Sequence, residues 1–549
     1  MNAAGLLVLC LENEGVTRIF GVPGEENAAL MMALEDSPIE FVLTRHEQGA
    51  AFMAEVQGRL TGEPGVCLGT LGPGAANLVT GVANSNMDRA PLIAITGQAG
   101  TERWHKESHQ AMDVVGMFGP ITKWASSIIR PQNVPEIVHK AFKIATTEKP
   151  GACHIELPED IASLEAGNGD PIAVSRPPRA VPSAESVDHA WDCILSAQSP
   201  VILAGNGAVR KDTSDELERF VAATGIGVIN TFMAKGVLPR DAMGSLFTIG
   251  LQARDRVSQA IEESDLVITL GYDIVEYPPR LWNPAGSKRI VHIDFTPAEV
   301  DRFYDAEVEV VGDLAHTLRM LNERVASAPY AIDQTTQHEI RHEMLDDFAV
   351  HANDETAGSI RPQKVLWDVR EAMGPADILL SDVGAHKMWV ARYYQCDEPN
   401  TCLIPNGSAS MGFALPGAIS ASLIQPQRKV MAIVGDGGFL MNVQEMETAR
   451  RLNSNIVVLL WEDGAYGLIK WKQETAYGRH TELSFGNPGW ALLAQSFGWS
   501  HRRVEESWDL RGGLDRALAE NGPSLVVVPI DYRENALLSK RRGEIAMGI

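Results

Sequence analysis

The sequence predicts three consecutive α/β units, each a doubly wound parallel sheet, and three observations predict it. Short apolar runs alternate with helical patterns through three long blocks of the chain, the order that builds parallel sheets. A stretch rich in Gly, Pro and Ala at 165–183, without any period, separates the first block from the second. A polar helical stretch at 314–357 leads from the second to the third. With 549 residues, 45% of them hydrophobic and 21% charged, the chain has the composition of a globular protein with roughly two to four domains. The divisions expected are 1–165, 184–330 and 358–549.

In the first block, strands are expected at 18–21, 40–44, 66–70, 92–96 and 152–157. The second block places them at 200–204, 227–230, 265–270 and 289–293, and the third at 378–381, 429–434, 456–460 and 524–528. The net charge of −24 opposes nucleic acid and anionic membrane surfaces, so small molecules and other protein chains are the expected partners. Cys10, Cys67, Cys153, Cys193, Cys396 and Cys402 form no C-x-x-C pair or zinc spacing and read as reduced thiols. The start MNAAGLLVLCLENEG lacks a basic n-region and a cleavage site, and no apolar run approaches the roughly 18 residues of a membrane span. A cytoplasmic location is expected. The basic segment 539–543 reads as a solvated tail or site cover.

The most informative segment is 429–439, KVMAIVGDGGF, followed by a helical pattern at 442–452, a strand at 456–460 and the turn Trp461-Glu-Asp-Gly-Ala-Tyr466. Strand, glycine turn, crossover helix and second strand make a βαβ unit whose two strand ends lie together, at the edge where open α/β sheets bind ligands. Asp436 and Asp463 then stand side by side, a pair of oxygen ligands suited to Mg²⁺ with phosphate and water completing its shell. Gly435, Gly437 and Gly438 admit a diphosphate close to the backbone, before a helix N-terminus. Taken alone, GDGG is a tight turn; with an Asp at the next strand end, the metal reading prevails.

This constellation resembles the cofactor signature of thiamine-diphosphate enzymes, a G-D-G followed at such an interval by an Asn- or Asp-containing turn. The resemblance implies that Asp436, Asp463 and the carbonyl of Ala465 ligate Mg²⁺, with Tyr466 beside them in the cofactor site. Asp463 stands where many relatives have Asn. It also implies that the three units are pyrimidine-binding, central and diphosphate-binding domains.

Glu47, in RHEQGAAFMA (45–54), is in isolation a helix-start Glu stabilised by the dipole. The segment is similar to the family motif whose Glu activates the aminopyrimidine, which implies that role here. PNGSASMGFALP (405–416) resembles the segment supporting the bent cofactor: Met411, otherwise a core filler, would prop it, and the Ala409 carbonyl would accept from its 4′-amino group. Gly72-Pro-Gly-Ala-Ala-Asn77, by itself a turn and helix start, resembles a lining of the pyrimidine pocket, which implies roles for Gly72 and Asn77. Cofactors in this superfamily lie between the first domain of one subunit and the third of another, implying a homodimer or homotetramer.

HKESHQAMDVVGMFGPITK (105–123) is similar to the acetolactate synthases, most of all the flavin-free catabolic type. Gln110 falls at their active-site Gln, whereas simple 2-oxo acid decarboxylases carry two adjacent His to protonate the carbanion; His109-Gln110 therefore favours carboligation. Lys123 is assigned to a substrate carboxylate, against the default of an exposed helical Lys. GYDIVEYPPRLWN (271–283) departs from the G-x-R-F-D-D-R pattern of flavin-containing synthases, so FAD is expected to be absent; Asn206-Gly207 is only a weak nucleotide-loop signal. VPIDYREN (528–535) carries the likeness to the C-terminal region. Glu25 and Lys472 differ from the anabolic enzymes near the reacting carbon and at the acceptor position, which leaves the acceptor, the pathway and any regulatory subunit open. The expected activity is ligation of two pyruvates, or pyruvate and a second 2-oxo acid; another 2-oxo acid decarboxylase or oxidase, and a cofactor-binding subunit without turnover, are the alternatives.

Overall fold

The computed structural model describes residues 1–167, 169–175, 178–210, 212–251, 256–328, 330–541 and 544–545. Three parallel sheets carry the fold. The first contains β1 (Arg18–Gly21), β2 (Glu40–Leu43), β3 (Gly65–Gly69), β4 (Leu92–Gln98), β5 (Trp124–Ser127) and β6 (Ala152–Pro158), in the order β2-β1-β3-β4-β6-β5. The second contains β7 (Pro200–Ala204), β8 (Val228–Asn230), β9 (Ser245–Thr248), β10 (Leu266–Leu270), β11 (Arg289–Asp294) and β12 (Val308–Val311), in the order β12-β11-β10-β7-β8-β9. The third contains β13 (Ile378–Ser381), β14 (Cys402–Leu403), β15 (Val430–Gly435), β16 (Ile456–Glu462), β17 (Ser500–Arg503) and β18 (Ser524–Pro529), in the order β14-β13-β15-β16-β18-β17.

The first and third sheets thus share one topology, and the middle sheet has another. Strand order reverses between β1 and β3, between β7 and β10, and between β13 and β15, which fixes where each sheet opens a ligand crevice beyond its strand ends. Helices α1 (Glu47–Thr61), α2 (Pro73–Met87), α3 (Val134–Thr146), α4 (Ala385–Tyr393), α5 (Ala414–Ile424), α6 (Asp436–Met441), α7 (Glu445–Arg451) and α8 (Gly467–Tyr477) carry the candidate residues or their supports.

The chain divides into two compact units. One comprises Met1–Pro178, Gly407–Gln427 and Leu440–Ser454; the other comprises Arg179–Asn406, Arg428–Phe439 and Asn455–Ile549. In the first, α1 is buried nearly all round, polar Glu47, Glu55 and Gln57 included, because it is enclosed on more than one side. Ala51 lets Gly81 of α2 approach, Phe52 meets Phe413 edge-on at 5.7 Å, and Ser420 of α5 donates to the Met53 carbonyl at 2.7 Å. Phe52 is fully buried, and truncating such a ring costs about 3–5 kcal/mol. In the second unit, the third sheet is packed by fully buried Trp389 and Trp461.

Several expectations need correction. β5, β9, β12, β14 and β17, all edge strands, were not anticipated. The helix expected at 442–452 is the shorter α7, Glu445–Arg451, and a separate helix that was not expected, α6, precedes it from Asp436 to Met441; between them Asn442 donates to the Gly412 carbonyl at 2.7 Å. Gly437 and Gly438 accordingly lie within a first helical turn and not ahead of it. Of the segment 539–543, the backbone pairs Lys540–Arg541 with Glu544–Ile545, and 542–543 lie outside the described residues. All six cysteines are buried and unbridged. Among the described residues no helix is long and apolar enough to cross a membrane.

Candidate active site

In the second unit, β15 and β16 end side by side, Gly435 pairing with Trp461, so the residues that follow meet at the mouth of the β13/β15 crevice. Asp436 is only 1% exposed. Its Oδ2 accepts from the backbone of Asp463 (3.2 Å) and Gly464 (2.7 Å) and from Asn487 Nδ2 (2.8 Å), while Oδ1 accepts the Gly437 N–H at 2.8 Å. Three donors fix one oxygen, and the other keeps a lone pair.

The Asp463 side chain reaches the surface. Its carboxyl is nonetheless pushed up to about 7, first by the protein enclosing its other side and then by the Asp436 carboxylate, against a backbone bond from Ala465. The turn is held by Tyr466 N–H to the Leu483 carbonyl (3.0 Å) and Phe485 N–H to the Gly464 carbonyl (2.9 Å). These antiparallel bonds flank Ala465, leaving its own polar groups on the opposite edge, toward Asp463. Two carboxylates and a carbonyl form a hard, all-oxygen donor set that fits Mg²⁺. Among the described residues no cluster of three or more His, Cys, Asp or Glu offers a competing metal site.

The crevice also fits a diphosphate. A Cβ on Gly437 would lie 2.8 Å from the Tyr466 ring, which packs against Phe485 at 5.1 Å; one on Gly438 would lie 3.1 Å from Asp382, and one on Gly435 3.3 Å from His386. His386 is 2% exposed, burial holds its imidazole neutral well below the usual range, and among the described residues its Nε2 has no partner. The Oδ1 of Asn487 is likewise buried and unpaired. Sequence reasoning missed Asp382, His386 and Asn487. Asp382-Val-Gly384 at the end of β13 repeats the strand-end Asp/Gly pattern of β15 and was a usable signal; nothing local marks Asn487.

In the first unit, Glu47 opens α1 and is 7% exposed. Asn77 of α2 donates to its Oε2 at 2.9 Å, and Gly74 lies so close that a Cβ would stand 3.3 Å from Oε1. Gly72, at φ +55°, meets Gln110, itself at φ +57°; a Cβ on Gly72 would lie 3.0 Å from that of Gln110. The fold therefore gathers Glu47, Gly72, Asn77 and Gln110.

Ala409 sits at φ +53°, a left-handed conformation that costs a non-glycine residue about 1–3 kcal/mol. It is held by its neighbours: Gly407 N–H donates to Asp88 Oδ1 at 2.7 Å and Ser410 N–H to Asn84 Oδ1 at 3.2 Å. Met411, half-buried, follows on this turn.

Lys123, expected to meet a substrate carboxylate, is turned to backbone carbonyls. Its Nζ donates to the carbonyls of Ile144 (2.6 Å), Thr147 (2.5 Å) and Lys149 (2.7 Å), where the end of α3 leaves carbonyls without helical partners. Glu25 and Lys472 are exposed, the latter on α8, a helix with no buried residue.

Comparison with known proteins agrees with this geometry. The chain matches the models "Thiamine pyrophosphate enzyme, N-terminal TPP binding domain" over residues 1–117, "central domain" over 187–321 and "C-terminal TPP binding domain" over 382–528. It is 35% identical over 540 residues to the acetolactate synthase of Bacillus subtilis strain 168, covering 98% of this chain and 95% of that protein. It is 35% identical over 547 residues to the catabolic acetolactate synthase of Raoultella terrigena, covering 98% and 96%. A probable acetolactate synthase large subunit from Methanocaldococcus jannaschii is 35% identical over 551 residues, covering 97% and 93%.

Proposed function

The chain belongs to the acetolactate synthase family of thiamine pyrophosphate enzymes, and on that premise we propose that it joins two molecules of pyruvate into 2-acetolactate with release of CO₂. When bound, thiamine diphosphate supplies the electron sink that lets a 2-oxo acid lose CO₂ and its carbonyl carbon attack a second carbonyl. Asp436, Asp463 and the Ala465 carbonyl hold Mg²⁺; Gly435, Gly437, Gly438, Tyr466 and the unpaired His386 Nε2 border the diphosphate. Gly72, Ala409 and Met411 border the organic rings. Glu47 holds and passes a proton at Oε1, the oxygen that Asn77 leaves free of its own bond. Gln110 follows His109 where a decarboxylase has a second imidazole. An amide carries no titratable proton, so aldehyde release is disfavoured and carbon–carbon bond formation gains.

The observation that carries this reading is Glu47, buried and bonded to Asn77 at the first position of its helix, in a chain whose likeness to acetolactate synthases runs nearly end to end. The test is stoichiometry with pyruvate as sole substrate. One CO₂ for two pyruvates is the expected result, and one CO₂ for each pyruvate with acetaldehyde as product would overturn it. Adding 2-oxobutyrate asks whether a second 2-oxo acid is accepted.

The enzyme is proposed to work without flavin. In the second sheet the loops at the β7/β10 crevice close on each other: Gly207 N–H donates to the Gly271 carbonyl at 2.8 Å, and a Cβ on Gly205 would lie 2.5 Å from Tyr272 Cα. Buried Glu276 takes the anion position, accepting from Asn206 N–H (2.8 Å), Asp273 N–H (3.2 Å) and the Thr231 hydroxyl (2.5 Å). A dinucleotide phosphate would have to displace that carboxyl. We further propose domain limits of 1–165, 184–330 and 358–549, and a homodimer or homotetramer with cofactor sites shared between subunits, which light scattering of the purified protein checks.

A further inference from the structure

We infer that Glu445, a residue outside the cofactor signature, is the positioning residue that sets the place of the activating carboxyl Glu47. The inference rests on the reading of Glu47 given above. Glu445 is the first residue of α7, fully buried in the first unit, and it does not point to solvent or to a cation. Both its oxygens accept the Arg45 N–H, at 3.1 and 3.3 Å, and the neighbouring His46 backbone also donates to it. The Thr448 hydroxyl closes the group from behind, 2.6 Å from Oε2.

Arg45 and His46 are the two residues that lead into Glu47. His46 is the N-cap of α1, and its ring Nδ1 is already occupied in accepting the Gln48 N–H at 3.1 Å. A helix start leaves N–H groups without helical partners, and here those just before the catalytic position are tied to one remote carboxyl. From the Arg45 N–H that the Glu445 carboxyl holds, the chain reaches Glu47 in two peptide units of backbone.

Gly49 is the independent observation. It lies in the first turn of α1 at an ordinary helical conformation, where glycine is disfavoured relative to alanine. The three atoms nearest to a Cβ there all belong to Glu445, its Oε1, Cδ and Cγ at 2.8, 3.0 and 3.1 Å. The missing side chain has no conformational purpose; it makes room for this carboxyl against the helix start.

Two substitutions test the inference, read by ThDP affinity, kcat and the rate of hydrogen–deuterium exchange at thiazolium C2 of the bound cofactor. Glu445→Gln turns an amide N–H₂ toward the Arg45 or Thr448 donors. Gly49→Ala favours the helix intrinsically while pressing on the carboxyl, so it keeps the test open if the first variant folds poorly. A catalytic group displaced by about 1 Å loses about 100-fold in rate. For both variants C2 exchange and kcat should fall together by about 10- to 100-fold, with ThDP affinity within about threefold of wild type, because the metal and diphosphate ligands are untouched.

Glu47→Gln, measured in parallel, separates the two failures. If it exchanges at the wild-type rate, the activating role of Glu47 is wrong. If it loses exchange while Gly49→Ala keeps the wild-type rate, Glu47 stands and Glu445 has no positioning role. A drop in kcat of either Glu445→Gln or Gly49→Ala without a drop in exchange would overturn the inference as well.

Discussion

Asp436 makes the sharpest quantitative prediction, because its carboxylate is both the proposed metal ligand and a structural acceptor. It receives four hydrogen bonds while 1% exposed. Asp436→Ala orphans all four donors, and at about 1 kcal/mol for each the loss in the metal-free protein is about 4 kcal/mol. In Asp436→Asn the amide oxygen keeps the three donors of Oδ2 and turns N–H₂ against Gly437 N–H. One bond is lost and three become neutral, but relief of the repulsion with Asp463 offsets part, so the net is about 2 kcal/mol. Urea unfolding of the metal-free proteins measures both, and titration of Mg²⁺ at fixed ThDP should show at least about 100-fold weaker binding for each variant, about 2.8 kcal/mol. Equal stability of the alanine and asparagine variants would refute the acceptor role, and wild-type Mg²⁺ affinity in either would refute the ligand role.

Other outcomes follow from the same geometry. Glu47→Gln keeps the size of the side chain and an acceptor for Asn77, so ThDP binding should persist while turnover falls at least about 100-fold; retained turnover would remove Glu47 from the chemistry. The raised Asp463 carboxyl gives a pH dependence with two signs. In the metal-free protein its stabilising contribution is fully present below the ordinary carboxylate range and is lost as pH rises through about 7, whereas Mg²⁺ requires the ionised form. Mg²⁺ affinity should therefore tighten about tenfold from pH 6 to pH 8 beyond whatever Asp463→Asn retains, and equal slopes in the two proteins would contradict the assignment. Lys123→Met should cost about 1 kcal/mol of stability through the abandoned carbonyls of α3 and leave KM for pyruvate unchanged; a raised KM would restore Lys123 to the substrate site.

What the sequence made legible, and what it did not, follows the physics of burial. Inner strands such as β3, β4, β15 and β16 are covered on both faces, so each appears as an unbroken apolar run. The missed strands are edges: Trp124–Ser127 is half polar, Ser500–Arg503 is polar throughout, and Cys402–Leu403 is too short to show a period. Ser245–Thr248 is buried in part by the helix Thr335–Ala349, with Arg341 donating to the Ser245 carbonyl at 2.9 Å, a long-range contact with no local sign.

The site divides in the same way. Asp436 and Asp463 could be read because a glycine turn and strand ends mark their neighbourhoods, whereas Glu47 reads in isolation as a helix start and was singled out only through the likeness of 45–54 to a family motif. His386 and Asn487 depend on tertiary approach, and at Lys123 a lysine near a site and a lysine closing a helix look alike in one dimension. The start of α7 at Glu445 has the same origin: the helical pattern begins at 442, where Asn442 is instead tied by its side chain to the Gly412 carbonyl.

The central claim is that this chain forms a carbon–carbon bond between two pyruvates, and isotope labelling tests it most directly. Purified protein is given Mg²⁺, ThDP and pyruvate labelled with ¹³C at the carbonyl carbon, with no flavin added, and the products are followed by carbon NMR. Ligation places two labelled carbons next to each other, so the account predicts 2-acetolactate with one-bond carbon–carbon splitting at both its ketone and its carbinol carbon. Labelled acetaldehyde alone, without such splitting, would contradict it.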